Sequence, residues 1–470
     1  MSLAPRKTNR ARALAAATAL MASLSALPFQ ARAEAPAASP AADALTALRQ
    51  RPPQDEVIYF LLPDRFANGD PANDHGGYAP ERLKSGFDPS DTDFYHGGDL
   101  AGVTQRLDYI QGLGATAVWL APVFKNKPVQ THNGYTGAAH HGYWITDFTV
   151  VDPHFGDEAA MRALVDAAHA RGMKVYLDIV ANHTADVIRY RECPDGPCEY
   201  RSRADYPYPR RGGVDGAPIN AGFDGRDFSR LTRPAYAYTP YVPAGEENAK
   251  VPAWLNDPIR YHNRGDSTFA GESSLDGDFA GLDDLLTEDP VVVQGMIDVF
   301  GGWIDKYGID GFRIDTVKHI EHEFWREFTS GIRKNAASMG KTNFLMFGEV
   351  FDGNDELLGS YTRKGELDSV FYFSHKFQVF DDVFKRNQPT TKIEELYNLR
   401  GERYGSEGQD GGVVDANGNP VAPTKVLVNF MDNHDVSRFL YNYNDLDALK
   451  NALFYLLTMD GIPCIYYGTE

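Results

Sequence analysis

Residues 291–319 read VVVQGMIDVFGGWIDKYGIDGFRIDTVKH and contain the unit from which we build the fold. The first part, through Gly308, spaces its apolar residues as a helix with one buried face does. The GFRID that follows is a short apolar run that ends in the carboxylate Asp315. A helix that leads directly into a buried strand predicts an α/β protein.

The same alternation recurs along the chain. Seven further apolar, β-prone runs are VIYFLL (57–62), ATAVWLAP (115–122), KVYLDIV (174–180), NFLMFGEV (343–350), SVFYF (369–373), KVLVNF (425–430) and IPCIYY (462–467). Strands without polar alternation, separated by helices, predict a parallel sheet covered on its outside. Eight of them predict a closed (β/α)8 TIM barrel. The alternative is an open doubly wound sheet, but the first strand continues as PDRFANGD and lacks the G-x-G-x-x-G loop of that fold.

Residues 184–285 interrupt the alternation. This segment is rich in Tyr, Pro, Arg and Asp, shows no helical period and is too long for a plain loop. We therefore predict an inserted domain B at 184–285 within a barrel formed by 55–183 and 286–470. No helical pattern follows the last strand, so we expect the eighth helix to be absent from this chain.

The N-terminus has the pattern of a secretory signal peptide. Basic residues precede the apolar stretch ALAAATALMASLSAL, which is followed by the small-residue cleavage pattern Ala31-Arg32-Ala33. We predict a signal peptide at 1–33, a flexible leader at 34–54, and a secreted or periplasmic protein. The apolar stretch is shorter than the ~20 residues that span a membrane, which argues against a membrane anchor.

The amino-acid composition argues against one class of binding partner, nucleic acids. The 470 residues include 65 acidic and 46 basic side chains, for a net charge of −19 and no evident basic patch. Such a surface repels phosphate backbones, so we expect no nucleic-acid partner. Of the three cysteines, Cys193 and Cys198 are close enough in sequence to close a small disulfide, and Cys464 lies in an apolar run typical of a buried thiol.

Polar residues gather at the ends of the predicted strands. Asp315 and Glu349 each follow an apolar strand directly, and Asp435 follows the seventh strand closely. In a barrel these ends meet at one mouth, where burial and mutual repulsion separate the pKa values of carboxyls. One ionised and one protonated carboxyl is the arrangement that glycoside cleavage uses. Arg313 faces the same way as Asp315 and would keep it ionised, unless the two form a purely structural ion pair. Zinc hydrolysis fits less well, because no H-E-x-x-H pattern is present.

Four stretches resemble the signature regions of the alpha-amylase superfamily of glycoside hydrolases, in the same order. They are DIVANH (178–183), GFRIDTVKH (311–319), FGEV (347–350) and FMDNHD (430–435). The stretches HGGDLAGV, HGYWITDFTVVDPHFG and GLDDL also fit, and the resemblance runs from about residue 57 to 470. The superfamily usually carries a small C-terminal β domain, which we expect to be absent from this chain.

The resemblance implies roles for individual residues. Asp315 would be the nucleophile, Glu349 the general acid and base, and Asp435 a third carboxylate that binds sugar hydroxyls and distorts the ring. A retaining enzyme of this kind holds its nucleophile and acid/base carboxyls about 5–5.5 Å apart. The implied substrate-binding residues are Tyr143 as a stacking platform, His183 and His434 as hydroxyl partners, Arg313 beside the nucleophile, and Lys318 on the leaving-group side. Asp178 would orient its neighbours.

Two structural calcium sites are predicted. Asn68, Asp70, Asn73 and Asp74 cluster as the hard oxygen ligands of calcium do, although a plain Asx-rich turn is the alternative. The loop with Gly97 and Asp99 resembles the segment that completes this site in cyclodextrin-forming relatives. The resemblance also implies a second site, in which Asn182 and the backbone carbonyl of His319 hold calcium between the barrel and domain B.

These observations together predict a secreted, retaining hydrolase of alpha-1,4-glucosidic bonds in starch-like glucans, acting as a monomer on a polysaccharide or maltooligosaccharide. The same signature regions occur in transglycosylases such as cyclodextrin glucanotransferase and in maltogenic and debranching hydrolases, so these remain alternatives. A non-catalytic sugar-binding protein would be expected to lack one of the three carboxylates, and all three are present.

Overall fold

The computed structural model describes residues 40–132, 134–194 and 196–470. The predicted signal peptide lies outside the described residues, as does the start of the predicted leader. The rest of that leader differs from the expectation, since Pro40–Gln50 forms a helix, α1. Leu48 on this helix is buried, and Arg49 Nη1 donates to the carbonyl of Met339 at 3.2 Å. These contacts give the segment a fixed conformation that its Ala- and Pro-rich sequence does not indicate.

Eight parallel strands form the central sheet, one in each predicted run. They are β1 Ile58–Leu61, β2 Ala117–Leu120, β3 Lys174–Ile179, β4 Gly311–Ile314, β5 Leu345–Gly348, β6 Ser369–Val370, β7 Val428–Phe430 and β8 Ile462–Tyr466. Their order in the sheet is β6-β5-β4-β3-β2-β1-β8-β7. A single parallel bridge between Phe371 and Val428 joins the two outer strands. The prediction of a (β/α)8 TIM barrel is confirmed.

The strands are buried along their whole length, which explains why their sequences lack polar alternation. Aromatic side chains fill the inside of the barrel. Phe60 of β1 stacks on Trp119 of β2 with ring centroids 3.5 Å apart, and Trp119 meets Phe347 of β5 edge to face at 6.0 Å. This aromatic core lies directly beneath the carboxyl ends of the strands.

Helices cover the outside of the barrel. The longer ones are α2 Leu100–Gln105, α3 Leu107–Gly112, α4 Glu158–Ala170, α5 Pro290–Tyr307, α6 His322–Ser338, α7 Thr391–Tyr404 and α8 Leu446–Thr458, and Lys376–Lys385 forms a π-helical segment before α7. Local signals set the ends of α5: Asp289 accepts from the backbone N–H of Val291, and Gly308 ends the helix with a left-handed φ of 73°. No helix in the described ranges has both the length and the apolarity to cross a membrane.

The loop after β2 is more structured than the sequence interpretation anticipated. It contains two antiparallel pairs, Phe124–Asn126 with Ile145–Val151 and Val129–His132 with Tyr135–Ala138. The second pair is a hairpin that stands beside the mouth of the barrel, and we call it the β2 hairpin.

The segment predicted as domain B consists of short strands, single turns of helix and loops around its own small core. Buried residues of that core include Tyr208, Phe223 and Tyr236. Cys193 and Cys198 are joined by a disulfide, and Cys464 is a buried free thiol. The paired strands His183–Thr184 and Asp283–Asp284 bring the two ends of the segment together next to β3. Domain B is therefore attached at the mouth of the barrel.

Candidate active site

The three predicted catalytic carboxylates lie at one end of the barrel. Asp315 directly follows β4, and Glu349 directly follows β5. The two strands are neighbours, with Ile314 opposite Gly348, so the two acids leave the sheet side by side. Asp435 comes from the loop after β7 and lines the same cavity as the other two. The arrangement follows from parallel strands, whose carboxyl ends all point to one face.

Arg313 holds this group together from below. Its fully buried guanidinium donates from Nη1 to Asp315 Oδ1 at 2.7 Å and to Asp178 Oδ1 at 2.9 Å, and its Nη2 lies 3.4 Å from Glu349 Oε2. Arg313 therefore contacts three carboxylates rather than forming one isolated ion pair. Asp315 is hydrogen-bonded to this guanidinium, and Glu349 lies close enough to share its charge.

Asp178, on β3, has a supporting position. In addition to Arg313, its carboxylate accepts from Tyr143 Oη at 3.0 Å and from Trp119 Nε1 at 3.1 Å. It is completely buried beneath the cavity floor. These contacts orient the arginine and the tyrosine, which agrees with the orienting role predicted for Asp178.

Burial and neighbouring charges give Glu349 and Asp315 different pKa values. Burial raises the pKa of Glu349 to about 8, despite Arg313, and the negative charges of Asp315 and Asp435 act in the same direction. Burial also raises the pKa of Asp315, although Arg313 limits the rise to about 6. The sequence interpretation expected Arg313 to keep Asp315 ionised; burial outweighs the arginine, but the carboxyl is still ionised at neutral pH. Glu349 then carries a proton and Asp315 a charge.

Thr316 contributes a backbone donor to the acid. Its backbone N–H donates to Glu349 Oε2 at 3.0 Å, and its φ of 50° is left-handed. That conformation is unusual for a β-branched residue. Phe269 and Ala280, with φ of 58° and 51°, also line the cleft. Strained backbone held by its surroundings is typical of functional sites.

Asp435 differs from the other two acids. Its side chain is 38% exposed, and its Oδ2 lies 3.4 Å from His434 Nε2. That histidine nitrogen is also 2.8 Å from Tyr143 Oη, and the rings of Tyr143 and His434 are nearly parallel with centroids 5.5 Å apart. Asp435 is therefore the member of the trio best placed to reach a ligand in the cleft.

Six of the predicted residues line one cavity of about 590 Å³: Asp315, Glu349, Asp435, Tyr143, His183 and His434. His183 packs its ring against Phe279, and burial lowers its pKa to about 3, so it is neutral. Its Nε2 is buried and lacks a hydrogen-bond partner within the described part of the chain. A neutral imidazole nitrogen without a partner is suited to a sugar hydroxyl.

A second cavity of about 320 Å³ adjoins the first and shares Phe279, Thr316, Glu349 and Asp435 with it. Lys318 lines this second cavity, with Nζ 2.6 Å from the carbonyl of Phe351, and His319 lines it as well. Phe269 and Phe351 form its apolar side. The two cavities are thus two halves of one cleft, and Glu349 and Asp435 lie at their junction.

Several residues of the cleft were not predicted. They are Gln130, Tyr135, Phe269, Phe279 and Phe351. The Asn133-Gly134 pair in THNGYT is a recognised hairpin turn signal and could have identified the β2 hairpin. The phenylalanines of domain B lie in a segment without periodicity, so nothing in the sequence pattern indicates which ones face the cleft.

The residues of the first predicted calcium cluster lie close together. Asn68 Nδ2 lies 2.8 Å from Asp74 Oδ1, and Asn73 Nδ2 lies 3.1 Å from Asp99 Oδ2. Asp99 also accepts from the backbone N–H groups of Gly69, Asp70 and Gly102, which ties the two loops together.

Two further observations test whether calcium fits this first cluster. Asn73 Oδ1 is buried and has no hydrogen-bond partner among the described residues. A Cβ atom at Gly97 would lie 2.6 Å from Asp74 Oδ1, so only glycine leaves this space open. Oxygen atoms of Asn and Asp around an open space are the ligands that calcium prefers. The residues therefore fit a calcium ion.

Asn182, from the second predicted calcium site, faces an acidic group of domain B. Asn182 meets Asp284 of domain B, with Nδ2 3.1 Å from Oδ1, while the other oxygen of Asp284 accepts from His262 Nδ1 at 2.6 Å. His262 Nε2 contacts Glu288 at 2.9 Å, and the ring lies near Asp276 as well. These three acids and His262 form what we call the domain B junction.

Positive side chains already neutralise the domain B junction. Arg203 binds both oxygens of Asp276 at 2.5 Å and Glu288 at 2.9 Å, and Arg264 lies 3.5 Å from Asp276. His262, Asp276 and Glu288 could geometrically surround an ion, with ligand atoms within 4.8 Å of one another. An ion at that position would replace the contacts of His262 and Arg203 with these acids. The ring of His319 contacts the carbonyl of Ser274, and calcium between its backbone carbonyl and Asn182 stays a prediction.

Comparison with known proteins identifies relatives. The family model described as alpha amylase, catalytic domain, matches residues 60–470. An alpha-amylase of Streptomyces lividans is 41% identical over 99% of this chain and 50% of its own length. The crystal structure of an Anoxybacillus alpha-amylase is similar with a TM-score of 0.63 and 30% identity, covering 89% of this chain and 72% of that one. A gamma-cyclodextrin glucanotransferase of alkalophilic Bacillus clarkii is similar with a TM-score of 0.64 and 26% identity, covering 90% and 52%. The chain spans half or less of the length of the first curated relatives it matches.

Proposed function

The chain belongs to the alpha-amylase family, and we propose that it is a retaining glycoside hydrolase that cleaves alpha-1,4-glucosidic bonds in starch-like glucans. One observation carries the proposal: Arg313 contacts Asp315 and Glu349 together at the floor of a cleft. Both carboxyls contact one guanidinium, and at neutral pH Glu349 is protonated while Asp315 is ionised. Double displacement requires one carboxyl in each of these two states.

The proposed reaction assigns one step to each acid. The Asp315 carboxylate attacks the anomeric carbon while protonated Glu349 gives its proton to the departing glycosidic oxygen. Ionised Glu349 then takes a proton from water, whose oxygen displaces Asp315 from the same carbon. Two inversions at one carbon give net retention. Asp435 and His183 would hold hydroxyls of the reacting sugar, and Tyr143 would support its ring.

A neutral glucan suits the surroundings of these acids. The protein carries a net charge of −19, which excludes polyanions from close approach, whereas an uncharged polysaccharide is unaffected. The cleft joins aromatic rings, such as Tyr143 and Phe279, with polar groups that can bind hydroxyls. We propose that the enzyme is secreted or periplasmic and monomeric, and that calcium at the first cluster fixes the loops after β1 without taking part in the reaction.

Product analysis tests the proposed function. We expect incubation with soluble starch and with maltoheptaose to release linear oligosaccharides, and proton NMR in the first minutes to show the alpha anomer at the new reducing end. Release of the beta anomer would contradict a retaining reaction. Absence of cleavage in both substrates would contradict the hydrolase assignment altogether.

A transglycosylase is the second candidate, and the second cavity favours it. Phe269, Phe279 and Phe351 line the side of the cleft that receives the leaving group. Apolar rings there would retain a sugar acceptor and exclude water from the glycosyl-enzyme. Cyclic products from starch, or transfer of glucosyl units to an added glucose acceptor in excess of hydrolysis, would establish this alternative. Linear products without transfer would exclude it.

A further inference from the structure

We propose that Tyr135, on the β2 hairpin, is a stacking platform for a glucose unit on the donor side of the cleft, away from the bond that is cleaved. This inference rests on the proposed function and assigns it a distal binding subsite. No catalytic acid contributes to this subsite.

The exposure of Tyr135 is the first reason. Its ring is 55% exposed, yet it lines the larger half of the cleft together with His140, Tyr143 and Trp144. A large exposed ring within a cleft offers an apolar face to a ligand. The flat C–H face of a glucose unit stacks on such a ring while its hydroxyls remain in water.

Contacts on one side hold the ring in place. A Cβ atom at Gly137, two residues further along the same strand, would lie 3.2 Å from both Cε1 and Oη of Tyr135, so the ring rests over a glycine. Partial burial and the negative charge of Asp93 raise the pKa of Tyr135, which places its hydroxyl near that carboxylate. Gly137 therefore supports one side of the ring.

The β2 hairpin itself is braced from two directions. On one side, the backbone N–H of Ala138 donates to the carbonyl of Asp93 at 2.8 Å. On the other, Gln130 Oε1 accepts from the backbone N–H of Asp186, at the start of domain B, at 2.9 Å. A platform that is already ordered costs little conformational entropy when a ligand binds.

The position of Tyr135 relative to the acids assigns it to the donor side. It lies in the half of the cleft that contains Tyr143 and His183, which the proposed mechanism assigns to the sugar attacked by Asp315. It is not among the residues of the other half, where Lys318 and Phe351 lie. A glucose unit on Tyr135 therefore precedes the cleaved bond, and only substrates long enough to reach it gain from it.

A chain-length series tests this subsite. We would measure kcat/KM of the wild type, Tyr135→Ala and Tyr135→Trp for each linear maltooligosaccharide from maltotriose to maltoheptaose. For Tyr135→Ala we expect a loss of about 10-fold on the longest substrates, mainly through KM, and little change on the shortest. Tyr135→Trp should restore the activity on long substrates, because it retains an aromatic face.

Tyr397→Ala is the matched control. Tyr397 is 54% exposed but lies on α7, on the outside of the barrel, so its removal should leave the length dependence unchanged. An equal loss on short and long substrates in Tyr135→Ala, or no loss on any, would overturn the assignment of Tyr135 alone. A wild-type enzyme that cleaves no member of the series would instead overturn the proposed function, and the subsite with it.

Discussion

Arg313 is the residue on which the arrangement of the site depends most directly. It is buried without exposure and contacts Asp178, Asp315 and Glu349, so its one positive charge is shared among three acids. A single charge cannot offset the burial of all three. Consequently the pKa values of Asp178, Asp315 and Glu349 all rise, to about 7, 6 and 8. The order of the last two supports the proposed role of Glu349 as the proton donor.

The pH dependence of kcat/KM should be bell-shaped. Activity requires Asp315 ionised, so it should fall as pH decreases through about 6, and it requires Glu349 protonated, so it should fall as pH rises through about 8. Because Asp315 and Glu349 interact, the two apparent pKa values of the profile describe the pair of carboxyls rather than either residue alone. Initial rates at low substrate concentration from about pH 4 to about pH 10 give the profile. A profile with no alkaline limb would contradict the raised pKa of Glu349.

Replacement of the acid should separate binding from turnover. Glu349→Gln keeps the shape of the side chain but cannot donate or accept the proton, so kcat should fall by roughly 10² to 10⁴ while maltoheptaose still binds. Steady-state kinetics and calorimetric titration measure the two effects. Glu323→Gln, at an exposed acid on α6, serves as the control. Nearly normal kcat in Glu349→Gln would remove Glu349 from the role of acid and base.

The sequence indicated which charged residues gather at the mouth of the barrel, but it did not indicate which phenylalanines line the cleft. Asp315 and Glu349 follow apolar strands, and that position alone predicts the mouth of the barrel. Phe269 and Phe279 reach the cleft only through the path of domain B, which no local pattern encodes. Arg313 was predicted beside Asp315, but its contacts with Asp178 and Glu349 depend on three strands being neighbours.

At the scale of elements, the domain B junction joins two parts of the chain that are distant in sequence. Asp284 contacts Asn182 near the end of β3, and Glu288 lies just before α5. His262 contacts both acids, which raises its pKa well above the usual value despite the opposing effect of burial. Protonated His262, lying between these carboxylates, therefore stabilises the junction at which the chain passes from domain B back to the barrel.

Removal of that charge should loosen domain B. His262→Gln leaves the buried Asp284 without the cation that faces it, whereas Glu288, at 22% exposure, keeps its contact with Arg203. Breaking a buried pair costs about 3–5 kcal/mol, which is the upper limit that we expect here. Urea unfolding gives the change in stability, and limited proteolysis shows whether domain B is cut first. His322→Gln, at a partly exposed histidine that pairs with Glu366, should cost about 1 kcal/mol or less. Equal stability of the two variants would contradict the role of His262.

The elements themselves were largely predictable, because buried parallel strands have a distinctive sequence. Each of the eight apolar runs forms a strand, and the helix predicted to run through Gly308 is Pro290–Tyr307. Strand length was less well predicted: SVFYF forms only the two-residue strand Ser369–Val370, since Phe373 begins a helix. The helix at Pro40–Gln50 depends on contacts with distant residues such as Met339, which a local pattern does not reveal.

For the molecule as a whole, calcium should raise stability through the first cluster. A ligand that binds only the folded state stabilises it by about 2.7 kcal/mol at one hundred times its Kd. We therefore expect EDTA to lower the melting temperature and calcium to restore it more effectively than magnesium, which demands a tighter geometry. Thermal unfolding with and without chelator measures the effect. The Asp74→Asn variant should have a lower melting temperature than the wild type, and EDTA should change that temperature less. A wild-type Tm that EDTA leaves unchanged would contradict the proposed calcium site.

The single bridge between Phe371 and Val428 divides the catalytic trio unequally. Asp315 and Glu349 directly follow adjacent strands joined by a continuous ladder of hydrogen bonds, which fixes the spacing of their backbones. Asp435 follows β7, on the far side of the weakest joint in the cylinder. We therefore expect the loop that carries Asp435 to accommodate sugars of differing shape more readily than Asp315 and Glu349 do.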